Sequence, residues 1–308
     1  MGQIRHIIES QQFDSGFLSA LFQHSQDLSR SGRGGPLGGT GTIMASLFYE
    51  PSTRTRFSFE SAMYRLGGNV ITTENAREFS SFAKGESLED SIRILSGYAD
   101  IIVMRHNEIG AAKRAASISS VPVLNAGDGA GQHPTQALLD LYTLHQKFHR
   151  LDNLRVAMVG DLRYGRTVRS LAYLLAKFKG VHLVFVAPEV CQMHDDILAY
   201  LDRQGVSYEN NTNLDAVLPQ VDCVYMTRIQ KERFLDLNEY AEAAGKYRLS
   251  EENVHRMAPE AIIMHPLPRV EEIAPEVDSD PRAFYFHQAQ NGLWVRMALI
   301  LYALGKWD

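Results

Sequence analysis

Short unbroken apolar runs alternate along this chain with segments whose apolar residues return every third or fourth position. The runs near 42–48, 69–72, 100–105 and 121–126 predict buried strands, and the segments near 52–66, 87–97 and 134–148 predict helices with one apolar stripe. Phe59, Ala62, Met63 and Leu66 fall at i, i+3, i+4 and i+7, one face of such a helix. The alternation resumes in the second half. Strands are expected near 154–159, 181–187, 223–227 and 261–264, helices near 166–178 and 192–203, and a last helical pattern runs from Ala289 to Leu304. This order predicts an α/β protein with parallel sheets. A long helix ends and a fresh strand begins near Arg150 to Asn153. Two doubly wound parallel-sheet domains are therefore expected, 1–150 and 151–288, with the active site in the cleft between them. A C-terminal helix within 289–308 is expected to pack back on the first domain.

Composition narrows the class. The chain of 308 residues is too long for one ordinary core, and its 45% hydrophobic and 22% charged residues are those of a soluble globular protein. No apolar run approaches the roughly 18 residues of a membrane span. The N-terminus lacks a charged-then-apolar leader, so the cytoplasm is the expected location. A net charge of −5 argues against a basic nucleic-acid surface. Cys191 and Cys223 have no metal-ligand spacing and read as small buried hydrophobes. Neither a metal nor a cofactor is expected.

The candidate chemistry gathers where predicted strands end. After the strand closing at Phe48 come Tyr49, Glu50 and Pro51, then Ser52, Thr53, Arg54, Thr55 and Arg56 at the start of a helix. Hydroxyls, guanidinium groups and free backbone N–H groups at a helix N-terminus are what a bound phosphate needs. Arg105 ends one strand and Arg228 another, and parallel sheets bind ligands at that end. Ser80, Ser81 and Lys84 lie in a polar segment, Thr73 to Glu86, too long for a simple turn and suited to close over an anion. His133 precedes Pro134 at a helix start, where the imidazolium is disfavoured and a neutral ring can donate one hydrogen bond. Taken singly, each has a plainer reading: a helix cap, a surface ion pair, a solvated lysine. The glycine-rich stretch Ser31 to Gly41 precedes a strand rather than following one, and reads as a flexible connection. Gly160 to Thr167 nearly matches a nucleotide P-loop, but Arg166 stands in place of the lysine and the other motifs stay unexplained.

The run 48–56 resembles the carbamoyl-phosphate motif of the aspartate and ornithine carbamoyltransferases. The resemblance continues through Lys84-Gly85-Glu86, Val103-Met104-Arg105-His106, His133-Pro134-Thr135-Gln136, Arg228-Ile229-Gln230 and His265-Pro266-Leu267-Pro268-Arg269, in the family's order over most of the chain. It implies a first, carbamoyl-phosphate-binding domain and a second, aspartate-binding domain. Ser52, Thr53, Arg54, Thr55, Ser80, Lys84, Arg105, His133 and Gln136 are then the carbamoyl-phosphate site. Arg54, Thr55, Lys84, Arg105 and His133 carry the catalysis, His133 by polarising the carbamoyl carbonyl. Lys84, Arg166, Thr167, Arg228, Gln230, Pro266 and Leu267 are implied for the second substrate, with Lys231, Glu232 and Arg233 continuing that loop. Ornithine members carry cysteine where Pro266 stands, which points to the aspartate branch and to the committed step of pyrimidine synthesis. Ornithine or another amino acid stays the alternative acceptor. The family's loop around Ser80 and Lys84 reaches a neighbouring subunit, implying a homotrimer with shared sites. Ala83 departs from relatives with a second lysine there. Association with a regulatory chain or a dihydroorotase partner is left open.

Overall fold

The computed structural model describes residues 4–31, 41–79, 81–231, 234 and 236–307, with the backbone alone at Phe79, Ser81, Phe82 and Leu237. Ser80, Glu232, Arg233 and most of the glycine-rich stretch lie outside the described residues. The chain divides into two compact units, Met1–Tyr142 with Gln290–Asp308, and Thr143–Ala289.

The first unit contains α1 (Ser15–Ser31), β1 (Ile43–Phe48), α2 (Thr53–Arg65), β2 (Asn69–Glu74), α3 (Ala76–Phe79), α4 (Leu88–Leu95), β3 (Ile101–His106), α5 (Ala111–Ile118), β4 (Val123–Asp128) and most of α6 (Pro134–Phe148). Its sheet is parallel throughout, in the order β2-β1-β3-β4. The chain leaves β1 toward one edge and returns to the other side of it as β3. That reversal makes the carboxyl ends of β1 and β3 the place where a ligand can enter. Ile101, Ile102, Val103 and Met104 are wholly buried, as a central parallel strand requires. Ile7 bridges to β4 through its N–H to Val123 O (2.9 Å) and its carbonyl to Asn125 N (2.8 Å), covering part of that sheet edge.

The second unit contains β5 (Arg155–Val159), α7 (Arg166–Leu175), β6 (His182–Val186), α8 (Asp195–Gln204), β7 (Ser207–Asn211), α9 (Leu214–Val217), β8 (Cys223–Met226), α10 (Leu237–Ala243), α11 (Glu251–Val254) and β9 (Ile262–Met264). Helix α12 (Tyr285–Ala303) begins here and ends in the first unit. The sheet order is β7-β6-β5-β8-β9, again all parallel, with its reversal between β5 and β8. The α/β class with two parallel sheets is thus the one expected from the apolar pattern.

Seven of these elements are additional to that pattern, α1, α3, α5, β7, α9, α10 and α11, and three of them show why. Strand β7 is Ser-Tyr-Glu-Asn-Asn at a sheet edge, half exposed, so its residues show no apolar run. Helix α5 buries only alanines, Ala111, Ala112 and Ala115, a stripe too small to read by eye. Helix α1 buries Leu18, Leu21, Phe22 and Ser25, where the serine breaks the apolar spacing. No helix among the described residues is long and apolar enough to cross a membrane. They contain no cluster of His, Cys, Asp and Glu suited to a metal ion.

Candidate active site

In the first unit the sheet register places the candidate residues side by side. Phe48 at the end of β1 is the partner of Arg105 at the end of β3. The Tyr49 N–H donates to the Arg105 carbonyl at 2.9 Å, so the chain leaving β1 stays close to β3. Pro51 then ends the extended run, and Ser52 opens α2 at φ −160°, ψ 81°. An α-helix leaves its first N–H groups without an intrahelical acceptor, and the Ser52 hydroxyl does not cap them here. Thr53 and Arg54 are exposed, Ser52 is half-buried and Thr55 is buried. Arg56 is turned elsewhere: its guanidinium bonds Glu74 at 2.8 Å and lies 3.6 Å from Glu60. It is a structural cation, not part of the cradle.

Arg105 is half-buried, and its Nε lies 3.3 Å from Glu50 Oε2. Glu50 therefore aims the guanidinium, a role that a search for cations alone overlooks. His133 and Gln136 start α6, which follows β4, the neighbour of β3. The Gly127–Gly131 approach is organised by Asp128. Its carboxylate accepts from Gly110 N (2.9 Å) and Gln132 N (2.8 Å). His133 is buried, and its Nδ1 is 3.5 Å from the Thr135 hydroxyl. The Gln136 Nε2 donates to Asp140 Oδ1 at 2.8 Å, so its amide oxygen is the end left to face a ligand. Lys84 is exposed and has no hydrogen bond or ion pair among the described residues.

The second unit repeats the arrangement with different donors. After β5 the chain turns at Gly160, whose φ of 108° and a 2.3 Å approach of a Cβ to Thr227 O admit only glycine. Asp161 follows and is wholly buried. It accepts from Tyr164 N (2.9 Å), Gln230 N (3.4 Å) and Gln230 Nε2 (3.3 Å), while its own N–H donates to Thr227 Oγ1 (3.0 Å). Burial raises its carboxyl above the usual range, against hydrogen bonds from Tyr164 and Gln230 and the Arg228 charge. Asp161 thus fastens the loop after β5 to the loop after β8, where Arg228 and Gln230 lie. It also fills the turn with a carboxylate that takes a loop N–H, the reverse of a phosphate-cradling P-loop. Arg166 and Thr167 open α7 and are half-buried. Pro266 and Leu267 follow β9, the neighbour of β8. Thr227, Arg228, Lys231, Tyr240, Tyr247, Arg248 and the 270–275 segment line a cavity of ≈ 750 Å³. Ser80, Glu232 and Arg233 are outside the described residues, so their expected contributions have no geometry here.

Two family models cover the chain. Residues 5–146 match the aspartate/ornithine carbamoyltransferase carbamoyl-P binding domain, and residues 152–303 match the Asp/Orn binding domain. The chain belongs to the aspartate/ornithine carbamoyltransferase family. It is 56% identical to aspartate carbamoyltransferase 1, chloroplastic, of Pisum sativum, over 99% of this chain and 80% of that one. It is 49% identical to the aspartate carbamoyltransferase catalytic subunit of Methanocella arvoryzae, over 98% and 97% of the two chains. Among solved structures, aspartate transcarbamoylase from Trypanosoma cruzi in complex with carbamoyl phosphate and aspartate superposes with a TM-score of 0.91. The identity there is 39%, covering 97% of this chain and 96% of that one. As a member of this family, the chain has one set of candidate residues in each matched domain, with Arg54 and Arg105 at the first sheet's reversal and Arg166 and Arg228 at the second's.

Proposed function

We propose that this chain transfers the carbamoyl group of carbamoyl phosphate to the amine of L-aspartate, giving N-carbamoyl-L-aspartate and phosphate, as a step of pyrimidine synthesis. The observation that carries the reading is that each sheet ends in its own set of candidate donors. One presents hydroxyls, Arg54 and Arg105 around an uncapped helix start. The other presents Arg166 at the start of α7, after β5, and Arg228 just after the neighbouring β8, two cations for a substrate with two carboxylates. The names of the relatives agree with it.

The first unit is assigned the carbamoyl-phosphate site. Ser52, Thr53, Arg54 and Thr55 hold the phosphate, and Arg54 stabilises the charge that grows on the bridging oxygen as it leaves. Arg105, aimed by Glu50, spans phosphate and carbonyl oxygens with its planar fork. His133 and Thr55 donate to the carbonyl oxygen, and the Gln136 oxygen accepts from the carbamoyl amino group. The second unit is assigned aspartate: Arg166 and Arg228 pair with its carboxylates, Thr167 and Gln230 stand beside them, and the Pro266 and Leu267 carbonyls accept from the amine. The free amine attacks the carbonyl carbon, a C–N bond forms, the C–O bond to phosphate breaks, and nitrogen sheds one proton.

A trimer with Ser80 and Lys84 lent by a neighbour belongs to the same reading. Its support is the exposure of Phe57 (54%) and Tyr64 (60%) on α2, the helix that carries Arg54. A cytoplasmic location is likewise part of the proposal, and cell fractionation tests it. The activity itself is tested by assaying purified protein with aspartate and ornithine as competing acceptors. Carbamoylation of aspartate alone is expected; carbamoyl-ornithine would overturn the second-site assignment.

A further inference from the structure

Leu267 sits at φ 54°, in the left-handed region that a branched side chain rarely occupies. The contacts around it show what holds it there. Its N–H donates to His265 Nδ1 at 2.7 Å. That bond makes Nδ1 an acceptor and leaves the ring proton on Nε2, which faces Glu272 Oε1 at 2.7 Å. The second carboxylate oxygen, Oε2, accepts from Val270 N and Glu271 N, both at 3.1 Å. His265 is itself fixed at the end of β9, its N–H donating to Gln288 Oε1 at 2.8 Å. Farther along, Arg269 is clamped between Asp278 and the Tyr285 hydroxyl. One imidazole and one carboxylate thereby close the segment 265–272 into a loop. Glu272 and its neighbours also line the cavity that Arg228 and Lys231 border.

We infer that the His265–Glu272 pair is a positioning device for the second substrate, setting the direction of the Pro266 and Leu267 carbonyls without touching the substrate itself. The inference rests on the carbamoyl-transfer reading above. A fold needing only a packed turn after β9 has no use for a buried imidazole hydrogen-bonded to a carboxylate at that point; an apolar pair would fill the space at lower desolvation cost. A strained leucine whose backbone is tied on one side by the imidazole and shaped on the other by the carboxylate is what aims a carbonyl. The pair acts on the amine-bearing substrate alone, so its loss shows in one Michaelis constant and spares the other.

Three variants of the intact protein test this. His265→Leu removes both bonds. His265→Asn keeps an acceptor for the N–H two residues on, the geometry of an Asx-turn, and loses only the reach to Glu272. Glu272→Gln offers one acceptor oxygen, which serves either His265 or the 270–271 amides. Expected is a graded rise in the KM for aspartate, about tenfold for His265→Leu and about threefold for His265→Asn and Glu272→Gln, with the KM for carbamoyl phosphate unchanged. Should His265→Leu fail to fold, the two milder variants carry the test. Unchanged aspartate KM in the variants, or equal losses toward both substrates, overturns the positioning role and leaves the functional reading intact. A wild-type protein that carbamoylates no aspartate overturns both.

Discussion

At the scale of single residues the cations were legible and the anions that aim them were not. An anion site calls for Arg, Lys and His, so Arg54, Arg105, Arg166 and Arg228 stand out in the sequence. Glu50 and Asp161 do not, because their place beside Arg105 and Gln230 depends on strands far apart in the chain. Two substitutions separate the roles. Arg54→Ala is expected to lower kcat by about a hundredfold or more, with the KM for aspartate little changed, since it acts on charge that develops at the leaving oxygen. Arg228→Ala should instead raise the KM for aspartate by about a hundredfold, because it removes a charge-assisted pair with a carboxylate. Steady-state kinetics on both, with each substrate varied, decides the matter; interchanged effects would reverse the assignment of the two sheet ends.

Elements show where apolar periodicity is a sufficient guide. Central strands such as β3 and β5 are buried runs and were expected within two residues of where they lie. Edge strand β7 and the alanine-striped α5 bury too little for a pattern, and their existence follows from the sheet they complete. For α1 the overlooked signal was its start: Asp14 Oδ1 accepts from Phe17 N at 2.7 Å, a capping aspartate ahead of the helix. Elements are also fastened by charges, and these make stability depend on pH. Arg269 holds the Asp278 carboxyl below its usual value by hydrogen bonding, and Arg282 does the same to Asp280. At Asp196 and Glu272 burial pushes upward, but bonds from Arg169 and His265 outweigh it and both are lowered. Carboxyls lowered in the folded state contribute stability that is fully present above their unfolded values of 3.8 and 4.5 and is lost as pH falls through the folded values. Asp161, raised by burial, works in the opposite sense. The melting temperature is therefore expected to fall on acidification from pH 5 toward pH 3; thermal scans in that window that show no loss would mean the pairs are not formed in solution.

For the molecule as a whole, two parallel sheets each carry candidate residues at their own reversal, and the sequence announces both by ending apolar runs in arginine. What it does not announce from residue pattern alone is assembly. Lys84 is exposed and has no partner in its own chain among the described residues, while Arg54 lies on α2 beside the exposed Phe57 and Tyr64. If each site takes Arg54 from one chain and Lys84 from the next, Arg54→Ala and Lys84→Gln are both inactive alone for complementary reasons. In a ring built from an equal mixture of the two, a site is whole when an Arg54-bearing chain precedes a Lys84-bearing one. Random assembly makes that true at about a quarter of the sites, because two independent choices of one half must coincide around a cyclic trimer. Mixing the two dead proteins, dissociating and reassembling them should thus restore about a quarter of wild-type activity. Sites built within single chains would restore none, since no chain in the mixture holds both residues. Sedimentation of the reassembled mixture as a trimer would show that such a null result reflects the location of Lys84 and not a failure to associate.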